Sequence, residues 1–180
     1  MNAKKLKLGD SLPSFTLPGI DGNVYSTASF SNDKLLLIIF SCNHCPYVQA
    51  YEERIIQLQK EYTDKGLIVI AINSNDEKNY PEDSFEKMKQ RAIEKSFNFI
   101  YLRDETQVVA KSFGAASTPE IFLFNVKRVV AYTGKIDDNW SEPERVNKRY
   151  LKEAIEEILK GDEVSVPETF AIGCSIKWKY

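Results

Sequence analysis

The chain has 180 residues, 43% hydrophobic and 28% charged, which is enough for one globular domain to bury a sizeable core. Its formal net charge of -2 supplies no basic field that would draw it to phosphate backbones or anionic lipid, so neither nucleic-acid nor membrane partners are expected. No stretch approaches the ~20 apolar residues of a membrane span, and the lysines near Met1 are not followed by the apolar run of a signal peptide, so the cytoplasm is the expected address.

Residues 9–30 read as a turn-rich lead-in punctuated by Pro13, Pro18, Gly19 and Asp21-Gly22, with a short strand around Asn23–Ser26. Leu35 to Phe40 is a continuous apolar run of strand length, the pattern of a strand covered on both faces in a parallel sheet. After Pro46, apolar residues at Val48, Tyr51, Ile55, Leu58 and Tyr62 follow the spacing of one helical face, and Gly66 closes the segment. Leu67–Ile72 is a second buried strand, and Asn73-Ser74-Asn75-Asp76 is the polar loop after it. Pro81 opens another helix carrying Phe85, Met88 and Ala92 on one side. A third strand is expected at Phe99–Leu102, and a brief helix from Glu105 to Phe113 stops at Gly114. Glu120–Phe124 and Arg128–Tyr132 read as a hairpin. The last helix runs from Val146 to Lys160, leaving 162–180 as a tail without clear periodicity. Nothing divides the chain, so residues 1–180 are expected to form one compact α/β domain, a mixed sheet with helices on both faces.

The chemistry concentrates at Cys42-Asn43-His44-Cys45-Pro46, between a buried strand and a helix. Thiols are kept reduced in the cytoplasm, so three cysteines in such a chain are not a disulfide framework. The thiolate is the reactive form of cysteine, and the start of a helix favours it through unpaired N–H groups and the helix dipole. Cys42 is therefore expected at that end as nucleophile, with Cys45 one turn on as resolver and His44, the only histidine, supporting the thiolate. Proline at 46 suits the first turn of a helix. Two inert buried cysteines beside a surface histidine are the bland alternative. A zinc site would need four ligands, and only His44 and Cys174 remain to join the CxxC, so no metal is expected. Haem attachment needs a histidine where Pro46 stands. Cys174 lies in the tail, within reach of the CxxC. It reads either as a third redox cysteine or as a small packing residue.

The CxxC after an apolar strand, with Thr118-Pro119 just before the strand at Glu120, resembles the thioredoxin superfamily, which implies that Pro119 is cis and lies against the CxxC. The lead-in Gly9-Asp10-Ser11-Leu12-Pro13-Ser14-Phe15-Thr16-Leu17 and the material inserted between the CxxC and Pro119 are similar to the redoxin branch, the alkyl hydroperoxide reductase and thiol-specific antioxidant family. Cys42 to Val48, Asn73 to Asp76, Ile136-Asp137-Asp138 and Gly173 to Trp178 look like a bacterial peroxiredoxin-like subfamily with a CxxC. The resemblance implies a thioredoxin-like fold with an N-terminal extension and an inserted strand or helix. It also implies an oxidoreductase without a cofactor, acting on protein or small-molecule disulfides or on peroxides with a thiol electron donor.

Typical peroxiredoxins carry Pro-x-x-x-Thr-x-x-Cys. The corresponding positions are Leu35 and Ile39 for Cys42, or Ile38 and Cys42 for Cys45, and neither register fits. Arg103 and Arg128 are the arginines considered for polarising a peroxide. Ser41 replaces the tryptophan that precedes the thioredoxin CxxC, and Leu36 stands where thioredoxin has a buried acid. Thiol–disulfide exchange is therefore expected first, peroxide reduction second and a non-catalytic binding module third. Asn73 to Asp76 and Asp137-Asp138-Asn139 read as loop and capping residues.

Overall fold

The computed structural model describes residues 4–180. In chain order its strands and α-helices are β1 (Thr16–Pro18), β2 (Val24–Ser26), β3 (Leu35–Ser41), α1 (Pro46–Tyr62), β4 (Leu67–Asn73), α2 (Phe85–Lys95), β5 (Ile100–Arg103), α3 (Val108–Phe113), β6 (Ser117–Thr118), β7 (Glu120–Phe124), β8 (Val130–Gly134), α4 (Tyr150–Leu159) and β9 (Cys174–Ser175). The central sheet has the order β5-β4-β3-β7-β8, with β3, β4 and β5 parallel and β7 and β8 antiparallel to their neighbours.

The apolar run at 35–40 lies mid-sheet because every one of its side chains has a covered face to enter. Leu36, Ile38 and Phe40 pack with Phe113, Phe122, Phe124, the lead-in residues Phe15, Leu17 and Phe30, and Ile176 of the tail. Leu35, Leu37 and Ile39 point the other way, onto Tyr51, Ile55, Leu58 and Tyr62 of α1 and Leu151, Ala154 and Ile155 of α4. Each such fully buried aliphatic side chain contributes about 1.5–3 kcal/mol relative to exposure. α2 covers Ala71 and Tyr101 with Met88.

Several boundaries differ from the sequence pattern. The lead-in contains a β1–β2 hairpin, of which only the second strand is expressed in turn signals. Pro81 opens a 3₁₀ turn, Pro81–Asp83, and α2 starts only at Phe85, where Ser84 caps it by accepting from the Lys87 N–H. The helix expected over 146–160 begins at Tyr150, since Pro143–Arg145 forms a separate 3₁₀ turn. The tail holds β9, which pairs antiparallel with β6. Two glycines seat it: a Cβ at Gly134 would lie 2.1 Å from Thr169 Oγ1, and one at Gly173 would lie 2.2 Å from the carbonyl oxygen of Thr118.

The topology brings one edge of the sheet to a focus. Parallel β3, β4 and β5 all end there, aligned at Ser41, Asn73 and Arg103, and antiparallel β7 begins there, with Glu120 opposite Phe40. Cys42, the Asn73–Asp76 loop and Thr118-Pro119 therefore converge at the carboxyl ends of the parallel strands, where open α/β sheets place ligands.

Candidate active site

The structure brings Cys42, Cys45, Cys174, Thr118 and Pro119 together. The Thr118–Pro119 bond is cis, as the resemblance implied, and Pro119 is buried. Cys42 Sγ lies 3.5 Å from Thr118 Oγ1, Cys45 Sγ lies 3.4 Å from the Thr118 carbonyl oxygen, and Cys45 and Cys174 bring their Sγ atoms to 2.7 Å. Cys42 and Cys45 are 3% and 1% exposed. Cys174 is half-buried, the least buried of the three residues.

The helix start falls three residues later than expected for the nucleophile. α1 begins at Pro46 and Cys45 is its N-cap residue, with the Cys45 carbonyl accepting from the Gln49 N–H at 2.9 Å. Cys42 stands three residues earlier, in the loop leaving β3. This corrects the expectation that Cys42 holds the helix end. Proline cannot donate to the preceding turn but fits the first helical position, so it fixes where the helix begins.

The electrostatics follow that placement. Cys42 donates to Cys45, which is the largest cause of a Cys45 pKa held down at about 4; burial opposes this, and the Cys174 thiol and the first-turn N–H of Val48 assist. The same donation pushes the Cys42 thiol up, and burial and the negative charge of Asp83 push it further. Cys174 is raised to about 11, first by burial and then by its donation to Cys45. Both shifts run toward an anion on Cys45.

His44 does not point at Cys45. Its Nδ1 lies 2.5 Å from Oδ2 of Asp83, and its ring stacks on Tyr80 with centroids 5.6 Å apart. Asp83, fully buried, is the residue the sequence did not disclose. Its oxygens accept from the Asn43 N–H (2.6 Å), Asn73 Nδ2 (3.2 Å) and Asn75 Nδ2 (2.9 Å). Tyr101 completes the network by donating to Asn43 Oδ1 at 2.8 Å. Ligand atoms of Cys42, His44 and Asp83 lie within 4.8 Å of one another, a grouping with the residue types of a metal site. Asp83 uses both oxygens in hydrogen bonds that tie together the segments carrying Asn43, Asn73 and Asn75. A signal for it existed in the two asparagines that end and follow β4, whose buried amides require partners.

Asn73 to Asp76 are all buried and join this network to the tail: Lys177 donates its N–H to Asn75 Oδ1 at 2.9 Å, and the Asp76 N–H donates to the Lys177 carbonyl at 2.8 Å. Neither arginine faces sulfur in this arrangement. Arg103 is buried against the carbonyls of Asn73 and Asn75, while Arg128 donates to the carbonyls of Ser31 and Lys34 at the opposite end of β3. Asp137 is more than a loop residue: buried, it pairs with Arg54 at 2.7 Å and accepts from the Tyr51 hydroxyl at 2.8 Å, tying α1 to the segment after β8. Beside Pro119 a shallow cleft is lined by Tyr51, Ile136, Trp140 and Ile172. Among the described residues no helix is long and apolar enough to cross a membrane.

A mixed sheet of this order, with thiols at its parallel-strand ends beside a cis-proline, defines a thioredoxin-like thiol redox protein. The Redoxin family model matches residues 7–149, and the chain belongs to that family. A solved structure of an uncharacterized conserved protein from Geobacillus kaustophilus is 39% identical, with a TM-score of 0.91 over 99% of this chain and 96% of that one. The thioredoxin domain of a thiol-disulfide oxidoreductase from Bacteroides vulgatus shares the fold at 18% identity and a TM-score of 0.62, covering 72% and 89% of the two chains. A Mycobacterium tuberculosis protein, named as a peroxiredoxin by inference, is 24% identical over 135 residues, 75% of this chain and 81% of its own.

Proposed function

We propose that the protein is a thiol–disulfide oxidoreductase that cycles Cys42 and Cys45 between dithiol and disulfide. The observation that carries this reading is the convergence of Cys42 and Cys45 on Thr118 and cis-Pro119 at the start of the 17-residue helix α1, where the Cys42 thiol also favours a thiolate on Cys45. In the oxidative half-cycle the Cys45 thiolate attacks one sulfur of an external disulfide, expels the other as thiolate and forms a mixed disulfide. Cys42 then loses its proton and attacks Cys45 Sγ. The Cys42–Cys45 bond forms as the second external thiolate departs. His44, clustered with Cys42 and oriented by Asp83, is the base suited to take the Cys42 proton. Thr118 and Pro119 position the sulfurs. Pro46 sets the helix start. An external thiol donor returns the disulfide to the dithiol.

A peroxide as the oxidant is the second reading, favoured by the name of the mycobacterial relative. It asks Cys45 to attack an O–O bond without an arginine in contact with the sulfur. The test is side-by-side turnover of a protein disulfide, such as insulin, and of hydrogen peroxide, each with a dithiol donor. Disulfide turnover that disappears in Cys45→Ser is the expected result. Rapid peroxide consumption without disulfide turnover replaces this reading with a peroxidase. A Cys45 that titrates near ~8.5, the value of a free thiol, indicates a binding module instead.

A further inference from the structure

Resting on the dithiol reading, we propose that Cys174 is the solvent port of the centre: Cys45 exchanges its disulfide partner from Cys42 to Cys174, and the external thiol donor attacks at Cys174. Both CxxC cysteines are buried, whereas Cys174 is in contact with Cys45 and is only partly buried.

The tail holds this cysteine in place instead of letting it wander. Cys174 pairs with Thr118 across β9 and β6, and the Ile176 N–H donates to the Ala116 carbonyl at 2.9 Å. On the C-terminal side Ile176 is buried in the core, Lys177 is hydrogen-bonded to Asn75 and Asp76, and the Lys179 N–H donates to Gln107 Oε1 at 2.9 Å. On the other side the Thr169 N–H donates to the Thr133 carbonyl and the Thr133 N–H to the Pro167 carbonyl, each at 3.1 Å. Ile176 anchors the tail in the main core, while Cys174 packs against Cys42, Cys45 and Val48. Gly173 permits the approach, since any side chain there would collide with the Thr118 carbonyl. A packing role for Cys174 requires none of this alignment with Cys45.

The step balances as a partner exchange followed by reduction. Starting from the Cys42–Cys45 disulfide, deprotonated Cys174 attacks Cys45 Sγ; the 42–45 bond breaks, the 45–174 bond forms, and Cys42 departs and takes up a proton. An external thiolate next attacks Cys174 Sγ and expels Cys45 as thiolate. A second external thiol then attacks the mixed disulfide and releases Cys174. Two external thiols have become one disulfide, and the protein has regained two thiols. The lower the pKa of a leaving thiol, the faster it leaves, and Cys45 has the lowest of the three. Attack on the exposed sulfur thus expels the best leaving group.

The experiment oxidises full-length wild type, Cys42→Ser, Cys174→Ser and Gly173→Val with diamide and maps disulfides by mass spectrometry under non-reducing conditions. Reduction of the oxidised forms by thioredoxin is followed in parallel. An intramolecular Cys45–Cys174 disulfide in Cys42→Ser, and both disulfides in wild type, are expected. Gly173→Val should form the 45–174 bond about a hundredfold more slowly, because displacement of a reacting atom by an ångström has that effect. Oxidised Cys174→Ser should be reduced by thioredoxin about tenfold more slowly or worse, its disulfide being buried. If Cys42→Ser yields only thiols or intermolecular links while wild type still forms Cys42–Cys45, the port is overturned and the dithiol reading stands. If wild type forms no disulfide at Cys45 and turns nothing over, both fall.

Discussion

The two sides of the thiol centre differ in what they do to a negative charge. On the Cys42 side, β4 and the 3₁₀ turn at Pro81 supply Asp83, a buried carboxylate held by Asn43, Asn73 and Asn75 and facing His44. On the Cys45 side, α1 supplies a helix start and the tail supplies a second thiol donor. Three residues apart in sequence, the sulfurs meet different surroundings, and this asymmetry favours the anion on Cys45. Motif order alone carries no such information.

Removing the anion should have the largest effect. Cys45→Ser is expected to lower disulfide turnover by about a thousandfold or more, as loss of a nucleophile does. Cys42→Ser should still form a mixed disulfide in a single turnover and release it slowly. Equal defects at both steps would break the assigned asymmetry. Next comes Asp83→Ala, which leaves a backbone N–H and two amides without their acceptor; about 3 kcal/mol of stability should be lost in urea denaturation. In the same variant the Cys42 pKa should fall, because a neighbouring negative charge has gone. If Cys42 does not titrate lower, Asp83 is not the source of the difference between the two sides.

The sign of the pH dependence sharpens the comparison further. The folded pKa of Cys45 is depressed to about 4. Reduced protein should therefore gain stability over the oxidised form as pH rises from about 4, with the contribution complete above the ~8.5 of an unfolded thiol and lost as pH falls through about 4. Denaturation curves of the two redox forms across that range would show it, and a flat difference would place the anion elsewhere. The smallest effect is a contrast from the far end of the sheet. Arg128→Ala frees the Ser31 and Lys34 carbonyls, at a cost of about 1 kcal/mol, and should leave thiol titration unchanged.

The sequence made the scaffold readable where burial is two-sided or periodic. The runs at 35–40, 67–72 and 120–124 and the apolar stripe of α1 each express their environment directly. The cysteines, Thr118 and Pro119 were legible as a group because strand-CxxC-helix and a later Thr-Pro have a spatial meaning in this superfamily. Asp83 was not, since it sits among Glu82, Ser84 and Glu86, where an acid reads as solvated surface. Only the tertiary convergence of Asn43, Asn73 and Asn75 gives it partners. Glu52 likewise falls on α1 as an ordinary polar residue, yet it is buried and binds Arg91 of α2 with two hydrogen bonds, at 2.7 and 2.5 Å. Pro46 marked the first helical turn, yet residue types alone did not show that Cys45, and not Cys42, takes the extended N-cap angles before it. β9 has too few residues to show a period.

Cys42 and Thr118 stand 76 positions apart in the chain and meet through the pairing of β3 with β7. Their contact forms only when that long loop closes, an event that belongs to formation of the whole sheet and not to any local segment. Trapping of the Cys42 thiol by an alkylating reagent therefore acts as a clock for cooperative opening. In the native state its rate should follow denaturant with the slope of large-scale unfolding, while amides at the ends of α4, which open locally, should exchange without waiting for it.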